Sequence, residues 1–203
     1  MDSIFTLIDV RPFMDRGLRD DDLQNYLEDI SDLGGKHVVS KGRGAGSIEP
    51  EETAGLDYRV TQGGAIQRLA PHLWRLYNNP DLARVLSRIS GFPVHPSRDL
   101  GSGVNINDVR KGGRYEAHVD STPFTLLLFG SGHEEGAALE VQVDGSWVEI
   151  QPLEGFGVFF DGSVTPHRVA PAHNRRLSVP MVFVPEGFDE LSVRAEVDGH
   201  LYG

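Results

Sequence analysis

The stretch Gly113-Arg-Tyr-Glu-Ala-His118-Val-Asp120-Ser-Thr-Pro-Phe-Thr125-Leu-Leu-Leu-Phe129 reads as a strand carrying a histidine and an aspartate, a short turn, and a second, apolar strand. Side chains two residues apart on a strand share a face. His118 and Asp120 are therefore able to reach one metal ion from rigid backbone. Upstream, Val104-Asn-Ile-Asn-Asp-Val109 alternates, and Lys111-Gly-Gly113 turns the chain into the quoted stretch. Downstream come Ala138 to Val143, closed by the hairpin signal Asp144-Gly145, then Trp147 to Ile150, Gly157 to Phe160, His167-Arg-Val169 and Leu177 to Val184. Short strands at this spacing predict an antiparallel sandwich or barrel over residues 101–185.

The first hundred residues have a different character. Ile4 to Val10 suits one opening strand. The acidic Asp20-Asp-Asp22 then precedes Leu23, Tyr26, Leu27, Ile30 and Leu33 at helical spacing, ending at Gly34-Gly35. A second helical pattern runs through Ile66, Leu69, Leu73, Leu76 and Tyr77. Asn78-Asn79-Pro80 breaks it, and a third runs through Leu82, Val85, Leu86 and Ile89 to Gly91. Trp74 and Tyr77 are expected in the core, and His72 and His95 at the surface or as caps. Residues 41–55 show no periodicity and are expected to form a loop or lid. Their Gly42-Arg-Gly-Ala-Gly46 lacks the preceding strand and the Lys-Ser/Thr of a phosphate loop. The reading is one domain over 1–203: helical support over 1–100, a β core over 101–185 and a C-terminal extension over 186–203.

Composition narrows the function. The formal net charge of −11 disfavours a nucleic-acid partner. The absence of cysteine removes disulfides, thiolate metal sites and cysteine nucleophiles, and fits a cytoplasmic location. No apolar run approaches the roughly 18 residues of a spanning helix, so no membrane partner is expected. The chain carries no signal for an oligomeric state.

A histidine two residues before an acid is a weak signal alone. With eight His and 30 acidic residues in 203, chance supplies roughly one. A second pair, His133-Glu-Glu135, lies among Gly130, Gly132 and Gly136 and is expected to be a solvated turn. A histidine pair, a carboxylate and no thiol suit a facial triad with open positions for exogenous ligands. The candidates for the third ligand are His167, His173 and His200. His167 is preferred because it enters a predicted core strand, whereas His173 lies in the polar turn Pro171-Ala-His-Asn174.

In order and spacing, His118-Val-Asp120, His167-Arg-Val and Arg176-Leu-Ser178 resemble the Fe(II)- and 2-oxoglutarate-dependent dioxygenases. The Arg-x-Ser form is similar to the branch of isopenicillin N synthase and the plant flavonoid oxygenases, as are Thr125-Leu-Leu-Leu and Ala138-Leu-Glu-Val. Asn107 and Gly112 resemble the approach strand of the alkylation-repair dioxygenases, although Val109 stands where those enzymes have a cosubstrate-binding tyrosine. The insert usual before the distal histidine of the plant branch shrinks here to Asp161–Pro166. Arg175 adjoins Arg176, but alternation puts Arg176 and Ser178 on one face and Arg175 on the other. Pro180 predicts that this strand is an edge or carries a bulge.

The resemblance implies a double-stranded β-helix (jelly-roll, cupin-like) core. It implies His118, Asp120 and His167 as catalytic iron ligands, with Arg176, Ser178 and Asn107 binding the cosubstrate. Fe(II), 2-oxoglutarate and O2 follow as cofactor and cosubstrates, and succinate and CO2 as coproducts. A buried guanidinium beside a hydroxyl suits the distal carboxylate of a dicarboxylate. The presence of Asp120 argues against the halogenating branch, which lacks that carboxylate. The expected activity is hydroxylation of a small-molecule substrate, an amino acid or an intermediate of specialised metabolism. A desaturase or cyclase would use the same ligands, and a cupin-like binding module would keep the β core without needing Arg176 and Ser178. Arg110, Arg114 and Arg168 are candidates to pair a substrate carboxylate.

Overall fold

A computed structural model of the chain describes residues 5–19, 22–41, 46–50, 55–130 and 138–190. After β1 (Phe5–Asp9) and a single 3-10 turn come α1 (Arg16–Arg19) and α2 (Leu23–Gly34). The Asp22 carboxylate caps α2 by accepting from the Asn25 amide at 3.2 Å. Two strands follow, β2 (Lys36–Lys41) and β3 (Gly55–Gln62), then α3 (Gly63–Leu69), α4 (Pro71–Tyr77) and α5 (Pro80–Ser90). Asn79 caps α5 ahead of Pro80, and Gly91 ends it in the left-handed region with φ +76°. The β core continues with β4 (Val94–Pro96), β5 (Asn105–Val109), β6 (Arg114–His118), β7 (Phe124–Phe129), β8 (Leu139–Val143), β9 (Ser146–Ile150), β10 (Phe156–Asp161), β11 (His167–Val169) and β12 (Arg176–Pro185).

Neighbouring strands pair in the order β1-β10-β7-β12-β5-β3-β6-β11-β8-β9, with β2 on β3 and β4 on β12. The named strand pairs are all antiparallel. The sheet curls on itself into the expected double-stranded β-helix. Its convex side carries the helices: Leu27, Ile30, Ile66, Leu73, Leu82 and Leu86 pack on Ile106, Leu126, Leu128 and Phe159 in one apolar cluster. The strands under the helices are buried on both faces, which is why β7 is buried at every position and apolar at all but Thr125 rather than alternating. At the other end, Asp144 (φ 51°) and Gly145 (φ +78°) close the β8–β9 hairpin as their sequence predicts. Among the described residues no helix is long and apolar enough to cross a membrane.

Two expectations need correction. The first hundred residues are not helical support alone, because β2, β3 and β4 also lie there and β3 pairs with both β5 and β6. β12, in turn, is an interior strand without a register break against β7, not an edge or a bulge. Leu177 bonds toward β7 through Gly130, and Val182 bonds the other way, to Gly103. Alternation therefore turns the Pro180 nitrogen away from β7, into the interval between β5, which pairs through Ser178, and β4, which starts at Phe183. The missing N–H leaves no ladder bond unmade on the β7 side. Of the segment 41–55, residues 42–45 and 51–54 lie outside the described residues. Ser47 bridges to His118, and the Ile48 amide donates to the Ala117 carbonyl at 2.8 Å. The His133 pair, His200 and the extension beyond residue 190 also lie outside the described residues.

Candidate active site

β12 shows how the fold sorts its side chains. Leu177, Val179, Met181 and Phe183 face the helices, whereas Arg176, Ser178, Pro180 and Val182 line a cavity of about 180 Å³ inside the curled sheet. The same cavity receives His118, Asp120 and His167.

His118 closes β6, and His167, opening β11, stands directly opposite it in the antiparallel register. Their ring centroids are 4.2 Å apart. Asp120 lies just past the end of β6, where its amide donates to the Gly162 carbonyl at 2.9 Å. Its Oδ1 sits 3.6 Å from Nε2 of His118 and 3.6 Å from Nε2 of His167. One ligating atom from each of the three residues lies within 4.8 Å of the other two.

Hydrogen bonds aim these groups. His118 Nδ1 lies 2.8 Å from the Glu116 carbonyl and His167 Nδ1 lies 2.9 Å from the Thr165 carbonyl. A carbonyl only accepts, so each Nδ1 carries a proton and each Nε2 is the nitrogen turned toward Asp120. The Thr125 hydroxyl donates to Asp120 Oδ2 at 2.8 Å, leaving Oδ1 to face the imidazoles. Burial pushes the Asp120 carboxyl up, but His167, His118 and the Thr125 hydrogen bond hold it well below the usual carboxylate range. Burial pushes His167 down to about 4, against a partial counter-pull from Asp120. An ionised carboxylate beside a neutral His167 is the state in which these groups ligate a cation. Phe160 meets the His167 ring edge-on at 4.9 Å, and the Tyr115 ring lies 4.6 Å from that of His118.

Arg176 and Ser178 are buried, at 2% and 0% exposure. Arg176 Nη1 donates to Ser178 Oγ at 2.7 Å, and burial pushes the guanidinium down to about 10. Asn107 stands across the ladder from Ser178 and lines the cavity too. Arg175 faces the other way, as alternation requires. It holds Asp108 through Nε at 3.0 Å and Nη2 at 2.8 Å, and Glu28 of α2 at 2.7 Å. Ser31 adds a 2.9 Å bond to the same Asp108 carboxylate.

The remaining candidates are not brought together with these. His173 is exposed. Arg110 pairs with Asp32 and Asp108, Arg114 with Glu49, and Arg168 with Glu140 while lying over Trp147. His72 pairs with Asp15, and His95 bonds the Pro96 carbonyl. Sequence reasoning missed Tyr58 and Tyr115, which line the cavity from β3 and β6, and the Thr125 bond to Asp120. The alternation of Leu56, Tyr58 and Val60, all buried, was the signal for β3.

No protein-family model matches the sequence, and no curated protein matches it. Solved structures do match in fold. A 2OG-Fe(II) oxygenase family oxidoreductase from Burkholderia pseudomallei superposes with a TM-score of 0.64 at 12% identity, over 89% of this chain and 85% of that one. A prolyl hydroxylase from Trichoplax adhaerens, in complex with a hypoxia inducible factor peptide fragment, gives 0.60 at 18% identity over 95% and 86%. The epimerase SnoN in complex with Fe3+, alpha ketoglutarate and nogalamycin RO gives 0.59 at 15% identity over 91% and 80%. In fold, this chain is a double-stranded β-helix of the kind found in the 2OG-Fe(II) oxygenases.

Proposed function

We propose that this chain is an Fe(II)- and 2-oxoglutarate-dependent oxygenase that hydroxylates a small molecule and releases succinate and CO2. The observation that carries the reading is that two unlike donor sets open into one cavity. One is Nε2 of His118, Nε2 of His167 and Oδ1 of Asp120. The other is the buried Arg176 guanidinium with the Ser178 hydroxyl.

The first set fits a metal of facial coordination. Ligand atoms at right angles, about 2.1 Å from an ion, lie about 3 Å apart. The two separations around Asp120 Oδ1 would thus need to close from 3.6 Å to about 3 Å, within a cluster whose ligand atoms already lie within 4.8 Å of one another. Two nitrogen donors and one carboxylate would hold an ion while leaving coordination positions for exogenous ligands. The second set fits the far carboxylate of 2-oxoglutarate. Ser178 accepts from Arg176 and so keeps its own proton to donate onward, while the guanidinium offers a fork to the carboxylate oxygens. Asn107 adds an amide beside them. Bound iron supplies the redox chemistry that couples decarboxylation of 2-oxoglutarate to oxidation of the substrate C–H bond. Balanced, one O2 places one oxygen in succinate and the other in the hydroxylated product.

The rest of the cavity mixes uncharged polar groups, Ser102, Asn105, Ser121 and Thr122, with apolar ones such as Leu127, Leu139 and Val169, and suits an uncharged portion of substrate with both polar and apolar faces. The matching folds include one seen with a peptide and one with nogalamycin RO. The substrate panel therefore spans amino acids, polycyclic specialised metabolites and proline-containing peptides. The test is oxygen uptake and succinate release with Fe(II) and 2-oxoglutarate across that panel. With both bound, no cosubstrate-dependent uptake on any member would sink the reading. Unchanged 2-oxoglutarate affinity in Arg176→Ala would point instead to a cupin-like binding module.

A further inference from the structure

We propose that Gly162 is a positioning residue for the metal site, and that its missing side chain is the space in which the Asp120 carboxylate sits. The inference rests on reading His118, Asp120 and His167 as metal ligands.

Residues 162–166 join β10 to β11, and this short turn touches two members of the cluster. The Thr165 carbonyl takes His167 Nδ1 at 2.9 Å. The Gly162 carbonyl takes the Asp120 amide at 2.9 Å, and the Gly162 amide donates to the Pro123 carbonyl at 2.8 Å. The turn is fastened in its own right. Asp161 Oδ1 accepts from the Ser163 amide at 3.0 Å and its hydroxyl at 2.6 Å, and the Thr165 amide donates to the Asp161 carbonyl at 3.0 Å. The backbone at 162 is thus pinned on both sides and has little freedom to retreat.

A Cβ on residue 162 would lie 2.1 Å from Asp120 Oδ2, 2.8 Å from its Cγ and 3.0 Å from its Cβ. All three nearest atoms belong to Asp120. The φ of Gly162 is not among the positive values, so an alanine there would meet no left-handed backbone penalty. The closest conflict is therefore with one side chain. A carboxylate is free to rotate, and rotation is the least costly relief. That rotation breaks the Thr125 hydrogen bond to Oδ2 and carries Oδ1 away from both Nε2 atoms. The fold survives such a change, but the ligand set does not.

The test compares wild type, Gly162→Ala, Asp120→Ala and the double variant by Co(II) titration and by thermal denaturation without metal. Gly162→Ala is expected to fold and to weaken Co(II) binding by roughly 10- to 100-fold, as loss of an orienting contact does at other metal sites. In the Asp120→Ala background the two shortest contacts, to Oδ2 and Cγ, are gone and only the 3.0 Å contact to Cβ remains, so Gly162→Ala should change Co(II) affinity and melting temperature far less than it does with Asp120 present. Wild-type Co(II) affinity in Gly162→Ala overturns the proposal. So does a melting penalty that persists undiminished when Asp120 is alanine, because that is the mark of a backbone role. Should Gly162→Ala fail to fold, the proposal requires the double variant to fold, and failure of both overturns it. A wild type that binds no Co(II) refutes the ligand reading instead, while the melting cycle still decides the contact between Gly162 and Asp120.

Discussion

Arg176→Met replaces a buried guanidinium by an apolar chain, and it should leave one measurement almost unchanged while moving another strongly. Burial alone pushes Arg176 down to about 10, which corresponds to roughly 3 kcal/mol against the charged side chain in the cosubstrate-free protein. Against this stand its interactions inside the protein, among them the hydrogen bond to Ser178, about 1.5–3 kcal/mol for a charged donor. The two sides roughly cancel, so the melting temperature should stay within a few degrees of wild type. Binding should change far more. Removing one partner of a buried, hydrogen-bonded charge pair costs about 2–5 kcal/mol. At about 1.4 kcal/mol per decade, 2-oxoglutarate affinity should fall roughly 30- to 4,000-fold. Differential scanning calorimetry without cosubstrate and anaerobic titration calorimetry with it measure the two effects on one preparation. Wild-type affinity in the variant would refute Arg176 as the carboxylate receptor. A melting temperature lowered by many degrees would refute the account of its burial.

Thr125→Val keeps shape but removes the donor to Asp120 Oδ2, and Co(II) affinity should drop roughly tenfold or more, read by titration. Metal at about 100 times its Kd should stabilise the fold by roughly 2.7 kcal/mol, a rise of roughly 5–10 °C at this chain length. Chelator should reverse that rise, and Asp120→Ala should abolish it. Arg175→Ala leaves the Asp108 carboxylate, 0% exposed, without its two-pronged partner and should cost about 3–5 kcal/mol by urea denaturation. Burial pushes Asp108 up, but Arg175, Ser31 and Arg110 hold it below the usual carboxylate range. Its folded-state pKa is therefore depressed, and its stabilisation is present at neutral pH and lost as pH falls through that lowered value. Removing Arg175 should move the onset of acid unfolding to higher pH, which a circular-dichroism titration follows.

The parts of this protein legible in its sequence are those set by local periodicity. His118 and Asp120 lie two apart before an apolar run. Arg176 and Ser178 alternate with Leu177 and Val179. Asn79-Pro80 opens a helix, and Asp144-Gly145 turns a hairpin. Each of these follows from backbone geometry within a few residues, and each forms as expected except that β6 ends at His118, so Asp120 stands just past the strand instead of on it. β3 escaped notice although Leu56, Tyr58 and Val60 alternate. It interleaves those residues with polar ones, and becomes an interior strand through partners about 50 residues later in β5 and β6.

Tertiary structure decided what local pattern only ranked. The sequence prefers His167 over His173 and His200, but only the antiparallel register sets its ring against His118 while His173 is exposed. Pro180 argues locally for an edge, yet it sits inside the sheet because its nitrogen faces the interval between two shorter partners. The role of Gly162 has no sequence signal at all. It arises because the turn before His167 folds back onto Asp120, 42 residues earlier in the chain. Periodicity fixes which way a side chain points; only the closing of the sheet determines what it meets there.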